Sequence, residues 1–277
     1  MRIVRARGIG FCYGVRRAID LAVRRAERGP IRSLGPLIHN RQEVARLESL
    51  GIRVADSIES CANETVIIRS HGATAEDIAR ARALNVTLVD ATCPHVTRCK
   101  EIVLSLQNEG RQVLLHGDRR HPEVQAILSF AAAGLEVIRG PDDLAALRPS
   151  HPLGLVAQTT QERRAFAALA ATVRRRFPDA DIRDTICQDA ARRQEEASRL
   201  AGEVDLVLVI GGRESANTSR LTQICRRLQP RTQQIEQAME LAPSVLSGVE
   251  SVGLISGAST PDWVIQEVEQ RLAELGP

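Results

Sequence analysis

Three cysteines recur at similar intervals along this 277-residue chain, and the same order of features follows each one. They are Cys12, Cys93 and Cys187. Each is followed by a segment with helical spacing, a short apolar strand and a polar loop. A second apolar strand, a small polar loop and another helix then complete the segment. Three ordered features in three segments indicate an internal repeat, which constrains the fold more than any other property of the chain.

The repeat predicts an α/β protein. Strands that alternate with helices form parallel sheets covered on both faces, so we predict three pseudo-repeated α/β units with small, mostly parallel sheets around a common central site. The predicted units, each of roughly 90 residues, cover 1–92, 93–186 and 187–277. The first strand of the chain is a candidate to pair with the last unit instead of the first.

Polar side chains gather in the loops that follow the predicted strands. Ligands of open α/β sheets bind beyond the carboxyl ends of the strands, so these loops predict a shared binding cavity. Imidazoles, amides and hydroxyls near helix N-termini suit a phosphate or diphosphate. The candidate ligand-binding residues are His39, His71, His121, Thr159, Thr160, Ser215, Asn217 and Ser259. Glu123, two residues after His121, is a carboxylate beside these donors and a candidate proton donor.

The three repeated cysteines predict a metal site. Three thiolates can hold zinc with an open fourth position, or an iron–sulfur cluster in which one iron lacks a protein ligand. Because these are dispersed single cysteines and not CxxC pairs, the cluster is favoured over zinc. The remaining cysteines, Cys61, Cys99 and Cys225, break the repeat and are interpreted as small core residues.

Composition argues against several other classes of protein. Formal net charge is only +3 and the charges are spread along the chain, which argues against nucleic-acid binding. The chain has neither an apolar run long enough to cross a membrane nor a secretory start, so we expect a cytoplasmic protein with reduced thiols. There is no Walker loop, and the segment 8–14 misses the GxGxxG pattern by one residue, which argues against a nucleotide.

Short motifs along nearly the whole chain resemble those of the 4-hydroxy-3-methylbut-2-enyl diphosphate reductase family of the non-mevalonate isoprenoid pathway. Each motif is weak alone, but their order is highly specific. They are Gly10-Phe-Cys-Tyr-Gly-Val15, Gly35-Pro-Leu-Ile-His-Asn40, Ser70-His-Gly72, Asp90-Ala-Thr-Cys-Pro94, His121-Pro-Glu-Val124, Gln158-Thr-Thr160, Ile186-Cys187, Ser215-Ala-Asn217 and Gly257-Ala-Ser259.

The resemblance implies a specific reaction. Three α/β domains would surround one [4Fe–4S] cluster held by Cys12, Cys93 and Cys187. The diphosphate would lie among the three histidines with Ser215, Asn217 and Ser259, while Glu123 and Thr159 would relay protons. Two electrons, supplied by a ferredoxin or flavodoxin, and two protons would remove the hydroxyl as water and leave isopentenyl and dimethylallyl diphosphates.

The chain also departs from the family pattern at several positions. Ala216 stands where the family usually has a second serine, Arg120 and Ala126 replace common glycines, and Gln188–Ala191 replaces a segment that usually carries threonines. These departures leave open a diverged paralogue that acts on a related allylic diphosphate. The same cysteines and loops are also compatible with a non-catalytic iron–sulfur sensor or with a zinc hydrolase of phosphate esters.

Overall fold

Parallel strands form three separate sheets in this computed structural model, which describes residues 1–145 and 147–275. Each sheet has four strands, and every pairing between neighbouring strands is parallel. The strands are β1 Arg2–Arg5, β2 Ile31–Leu34, β3 Ile52–Ala55, β4 Thr65–Ile68, β5 Thr87–Asp90, β6 Gln112–His116, β7 Leu135–Ile138, β8 Leu153–Ala157, β9 Asp181–Ile182, β10 Leu206–Ile210, β11 Thr232–Ile235 and β12 Ser251–Ser256. The predicted α/β class with small parallel sheets is therefore confirmed.

Most of the strands are connected by α-helices, and the connections from β3 to β4, from β7 to β8 and from β11 to β12 contain short 3-10 helices instead. None of the helices within the described ranges is long and apolar enough to span a membrane. The helices are α1 Tyr13–Ala26, α2 Arg41–Ser49, α3 Ala75–Ala83, α4 Pro94–Asn108, α5 Pro122–Phe130, α6 Arg163–Arg176, α7 Gln188–Ala201, α8 Ala216–Leu228 and α9 Asp262–Leu275.

The three sheets share one strand order. They run β3-β2-β4-β5, β7-β6-β8-β9 and β1-β12-β10-β11. The third sheet has the order of the other two when β1 is counted as its fourth strand. In the first two sheets the chain leaves the two central strands toward opposite edges, and in the third the edge strands β11 and β1 flank the central pair in the same way. This arrangement opens a crevice at the strand ends. The edge strand β1 pairs with β12, which confirms that the first strand of the chain joins the sheet formed by its last part.

Alternating side chains along β10 explain how a sheet is covered on both faces. Leu206, Leu208 and Ile210 pack with the apolar side of α9, including Val264 and Val268. The intervening residues of the strand pack on the opposite face against α7 and α8, in a core formed by Val207, Val209, Ala197, Leu200, Leu221, Ile224 and Cys225. Because the side-chain period of a strand is two, an all-apolar strand has to be buried from both sides.

The chain divides into two compact units, and each is made of separated segments. The first unit comprises Met1–Arg16, Ile38–Arg46 and Gln188–Pro277. It contains the sheet β1-β12-β10-β11. The second unit comprises Arg17–Leu37 and Leu47–Cys187, and it contains the other two sheets. The predicted boundaries at 1–92, 93–186 and 187–277 stay a prediction.

Candidate active site

All six polar loops follow the central strands of the three sheets. The strands β2, β6 and β10 precede the loops of His39, His121 and Ser215. Their sheet neighbours β4, β8 and β12 precede the loops of His71, of Thr159 and Thr160, and of Ser259. The candidate residues are therefore held at the carboxyl ends of parallel strands, where α/β proteins bind ligands.

Cys12 lies in the first unit, immediately before α1. Its backbone N–H donates to the carbonyl oxygen of Ala258 at 3.0 Å. Its Sγ accepts a hydrogen bond from the N–H of Val15 at 3.4 Å. The sulfur therefore receives an N–H group from the first turn of a helix, a position that stabilises negative charge.

Cys93 and Cys187 lie in the second unit. Cys93 is the N-cap residue of α4, and its N–H donates to the carbonyl of Ser70 at 3.0 Å. The N–H of Cys187 donates to the carbonyl of Thr159 at 2.9 Å, and Cys187 directly precedes the first residue of α7. Both cysteines therefore stand at the beginning of a helix, as Cys12 does, with their backbones attached to candidate-site loops.

Burial separates these three cysteines from the other three. Cys12, Cys93 and Cys187 are half-buried, whereas Cys61, Cys99 and Cys225 are fully buried in the core. Burial raises the pKa of Cys225 to about 12, and burial together with the nearby Glu123 carboxyl raises the pKa of Cys99 to about 12. Thiols of this kind stay protonated at neutral pH, and a protonated thiol is not a metal ligand.

Glu123 is buried in the second unit and bonded through both carboxyl oxygens to Thr159. The backbone N–H of Thr159 donates to Oε1 and its hydroxyl donates to Oε2, both at 2.8 Å. Glu123 comes from the first turn of α5 and Thr159 from the loop after β8, so two neighbouring strand ends provide the pair. Burial raises the pKa of Glu123 to about 7, although the hydrogen bonds from Thr159 lower it in part.

Thr185, which the sequence did not single out, connects the segment before Cys187 to the end of β8, close to the pair of Glu123 and Thr159. The hydroxyl of Thr185 donates to the carbonyl of Ala157 at 2.5 Å, and the N–H of Ala157 donates to the same hydroxyl oxygen at 2.8 Å. Two residues further along each of these two segments, the N–H of Cys187 donates to the carbonyl of Thr159. Thr185 thereby aligns the segment that carries a candidate cluster ligand with the loop that holds Glu123.

His121 is the N-cap residue of α5. Its Nδ1 accepts a hydrogen bond from the N–H of Glu123 at 3.2 Å. Since Nδ1 acts as an acceptor there, the proton of a neutral imidazole is on Nε2, which then presents a donor. The ring of His71 lies edge-on to that of His121, with centroids 5.4 Å apart at 83°. The two candidate histidines of the second unit are therefore neighbours.

Thr160 takes part in a different set of bonds from Thr159. Its Oγ1 accepts a hydrogen bond from Nε2 of Gln158 at 3.0 Å, and Oε1 of Gln158 accepts from the N–H of Asp118 at 3.0 Å. Asp118 lies in the loop that leads to His121. These bonds tie the loop after β8 to the loop after β6.

His39 lies in the first unit, where its carbonyl is packed between two loops. The hydroxyl of Ser259 donates to this carbonyl oxygen at 3.1 Å. The Cα of Gly212 approaches it so closely that a Cβ there would lie only 2.6 Å from the same oxygen. Asn40 follows, and its Oδ1 accepts from the N–H of Glu43 at 2.9 Å, which caps α2. The first-unit loops of His39 and Ser259 are therefore held together.

Ser215 and Asn217 begin α8, also in the first unit. The Ser215 hydroxyl oxygen accepts a hydrogen bond from the N–H of Thr218 at 3.3 Å and so caps the helix. Nδ2 of Asn217 is buried, and it has no hydrogen-bond partner among the residues that the structure describes. A buried donor without a partner costs stability, and such groups are typical of sites that bind a polar ligand.

Sequence reasoning also missed two buried charged residues of the first unit. The carboxylate of Glu43 accepts from Nη2 of Arg46 at 2.7 Å and from the indole N–H of Trp263 at 3.3 Å. Arg193 is buried on α7, the helical segment that follows the third repeated cysteine. No local signal distinguishes Arg193 from the many exposed arginines of this chain.

Sequence comparisons match nearly the whole chain to one family of proteins. The LytB protein family model matches residues 3–273. The 4-hydroxy-3-methylbut-2-enyl diphosphate reductase of Geobacter sulfurreducens is 44% identical over 275 residues, which cover 99% of this chain and 98% of the relative. The enzyme of the same name from Syntrophotalea carbinolica is 44% identical over 278 residues, with 99% of each chain covered.

Solved structures resemble the chain as well. A structure of (E)-4-hydroxy-3-methyl-but-2-enyl diphosphate reductase, described as the terminal enzyme of the non-mevalonate pathway, is 40% identical with a TM-score of 0.72, and covers 99% of this chain and 100% of its own. The E-1-hydroxy-2-methyl-but-2-enyl-4-diphosphate reductase of Plasmodium falciparum shares the fold, with a TM-score of 0.92 at 24% identity over 100% of this chain and 88% of its own. The chain therefore belongs to the LytB family of 4-hydroxy-3-methylbut-2-enyl diphosphate reductases, which are oxidoreductases of the non-mevalonate pathway.

Proposed function

We propose that this chain reduces 4-hydroxy-3-methylbut-2-enyl diphosphate to isopentenyl and dimethylallyl diphosphates, with two electrons, two protons and loss of the hydroxyl as water. The observation that carries the proposal is the buried pair of Glu123 and Thr159 within a chain of this family. A carboxyl whose pKa is about 7 holds a proton near neutral pH and can release it to a leaving hydroxyl.

We propose Cys12, Cys93 and Cys187 as the ligands of one [4Fe–4S] cluster. The three fit this role because they are half-buried residues at the beginnings of helices, whereas the other three cysteines are buried in the core. A cluster with three cysteine ligands would supply electrons and an open iron that polarises the substrate hydroxyl. The protein contributes the binding, orientation and proton supply around it.

Substrate binding is assigned to the neutral donors at the strand ends. His121 would use Nε2, because its Nδ1 caps α5. Asn217 would use its buried Nδ2. The proposed set also includes His39, His71, Thr159, Thr160, Ser215 and Ser259. Donors of this kind bind a diphosphate without adding charge, and they fix the position of the hydroxyl relative to the reacting group.

Proton delivery is assigned to Glu123 and Thr159. Oγ1 of Thr159 lies 2.8 Å from Oε2 of Glu123. When the carboxyl is protonated, it donates to this oxygen, and the hydroxyl proton of Thr159 can pass to the substrate while the carboxyl proton replaces it. Electrons would come from a ferredoxin or flavodoxin, as the family resemblance implies, and the reaction would take place in the cytoplasm. Ala216, at the first position of α8, is where a related allylic diphosphate would be accommodated if this chain were a diverged paralogue.

The test is anaerobic turnover of the C5 substrate with reduced viologen, with both products measured by mass spectrometry. We expect isopentenyl and dimethylallyl diphosphates from the wild-type chain, and neither product from Cys93→Ser. An absence of both products from wild-type protein that carries a full cluster would overturn the proposed reaction and favour the paralogue or the sensor. Activity in air that requires zinc would instead identify a hydrolase.

A further inference from the structure

A buried arginine, Arg193, ties α7 to two other segments of the first unit. Its Nη2 donates to the carbonyl oxygen of Gly10 at 2.9 Å, and its Nη1 donates to the carbonyl oxygen of Ser256 at 3.3 Å. Its Nε donates to Oδ2 of Asp189, one turn earlier on the same helix, at 2.8 Å. One guanidinium with a 4% exposed side chain therefore makes three bonds in three directions.

The two segments that Arg193 joins are those that hold Cys12. The N–H of Gly10 donates to Oγ of Ser256 at 2.8 Å, and the N–H of Cys12 donates to the carbonyl of Ala258 at 3.0 Å. Gly10 has φ of +93°, in the left-handed region that other residues adopt at a cost. The backbone of residues 10–12 thus lies against residues 256–258, and the guanidinium fixes both at their carbonyl oxygens.

Arg193 also brings a positive charge to the segment that contains Cys12. The guanidinium carries a positive charge, and it is buried against the carbonyl of Gly10, which is two positions before Cys12 in the chain. Its carboxylate partner Asp189 is 39% exposed, so solvent screens the negative charge more than the positive one. Asp189 belongs to Gln188–Ala191, the segment where this chain departs from the family pattern. A buried positive charge near a cluster makes the cluster easier to reduce.

We infer that Arg193 is a positioning residue for Cys12 and that it also raises the reduction potential of the proposed cluster. This inference rests on the proposed function, since it assumes that Cys12 binds the cluster. Arg193 itself touches neither substrate nor cluster in this assignment. It acts through the carbonyls of Gly10 and Ser256, which it keeps in the arrangement that presents the Cys12 sulfur.

Four variants distinguish the effect of the hydrogen bonds of Arg193 from the effect of its positive charge. Arg193→Met removes the charge and the three hydrogen bonds. Arg193→Lys keeps the charge but cannot reproduce three bonds in three directions. Ser256→Ala keeps Arg193 and removes the hydroxyl that accepts from the N–H of Gly10 and donates to the carbonyl of Gly257. Arg199→Met is the matched control, because Arg199 is an exposed arginine of the same helix whose guanidinium pairs with Glu196 of that helix and with Glu203 just after its C-terminal end. For each anaerobically reconstituted variant, iron content, iron release to a colorimetric chelator and the cluster potential by spectroscopic redox titration are measured.

Arg193→Met should release iron about 10- to 100-fold faster than wild type and titrate at a lower potential. Arg193→Lys and Ser256→Ala should release iron faster at a nearly unchanged potential, and Arg199→Met should match wild type in both measurements. Wild-type release and potential in folded Arg193→Met and Arg193→Lys would overturn the inference. If Arg193→Met does not fold, unchanged iron release in Arg193→Lys and Ser256→Ala would overturn it equally. Wild-type protein that takes up no iron would instead contradict the proposed function.

Discussion

Glu123 and Thr159 form a two-point contact in which one residue occupies both oxygens of a buried carboxyl. The backbone N–H and the hydroxyl of Thr159 each donate at 2.8 Å, although the two residues are 36 positions apart. Only the hydroxyl can also pass a proton onward, because its oxygen can accept one proton while it donates another, whereas an amide nitrogen only donates. The N–H bond to Oε1 therefore positions the carboxyl, and the hydroxyl bond to Oε2 is the one through which a proton can be transferred.

Replacing Glu123 by Gln should abolish proton delivery while the fold is retained, because the amide has nearly the same shape but no acidic proton. We expect kcat to fall about 100- to 10,000-fold with unchanged iron content. Steady-state kinetics and iron analysis check this. Thr159→Val, which keeps the N–H bond and removes the hydroxyl, should lower kcat as well. Full turnover of Glu123→Gln with a normal cluster would end the proposed role of Glu123.

The raised pKa of Glu123 predicts that its contribution to stability depends on pH. Because burial raises the pKa in the folded state, the contribution is fully present below about pH 4.5 and is lost as pH rises to about 7. The loss amounts to about 3 kcal/mol in the free energy of unfolding. Denaturant unfolding of wild type and Glu123→Gln measures it across this range. The free energy of unfolding of the wild type should fall relative to that of Glu123→Gln as pH rises. If the two free energies changed with pH in parallel, the prediction would be contradicted.

His121 combines a capping bond with a proposed contact to substrate, and two substitutions separate them. His121→Asn keeps a side-chain acceptor for the N–H of Glu123, whereas His121→Ala removes it. We expect Ala to lower the free energy of unfolding by about 1 kcal/mol and Asn to leave it nearly unchanged. Both should raise KM for the diphosphate. If His121→Asn bound substrate as wild type does, the imidazole would have no role in binding.

Asn217 should matter for binding and not for stability. Its Nδ2 is buried without a hydrogen-bond partner among the described residues, a situation that costs about 1–3 kcal/mol until a ligand accepts the bond. Asn217→Leu, which has the same number of side-chain heavy atoms but no polar group, should therefore unfold at an equal or higher denaturant concentration, while KM for the diphosphate rises about tenfold or more. Isothermal titration with the substrate and chemical unfolding measure the two effects. A clear loss of stability with unchanged binding would show that Asn217 is structural.

The six cysteines should fall into two classes when each is replaced in turn. Cys12→Ser, Cys93→Ser and Cys187→Ser should lose most of the iron, because each removes one proposed thiolate ligand. Cys225→Ala is the matched control, since burial keeps this thiol protonated with a pKa of about 12. Iron and sulfide analysis with electron paramagnetic resonance checks both classes. If Cys225→Ala lost its iron while the three serine variants kept theirs, the assignment of ligands would be overturned.

Much of the fold could be predicted because its signals are local. The run Leu206–Ile210 is apolar at every position and forms a strand buried on both faces. His121 stands before Pro122 and caps the helix that begins there, as a polar residue before proline at a first helical position predicts. Such patterns depend on neighbours within a few residues, so the sequence by itself determined the α/β class, the three sheets and the six polar loops.

Long-range packing decided the rest. The pairing of β1 with β12 and the joining of Ile38–Arg46 to the last part of the chain follow from which surfaces bury one another, and local periodicity does not encode this. The roles of Arg193 and Thr185 became visible only in the structure, because their partners are backbone carbonyls brought near by the fold. A hydrogen bond to a distant carbonyl leaves no pattern in the sequence, so only the tertiary structure could distinguish Arg193 from the other arginines.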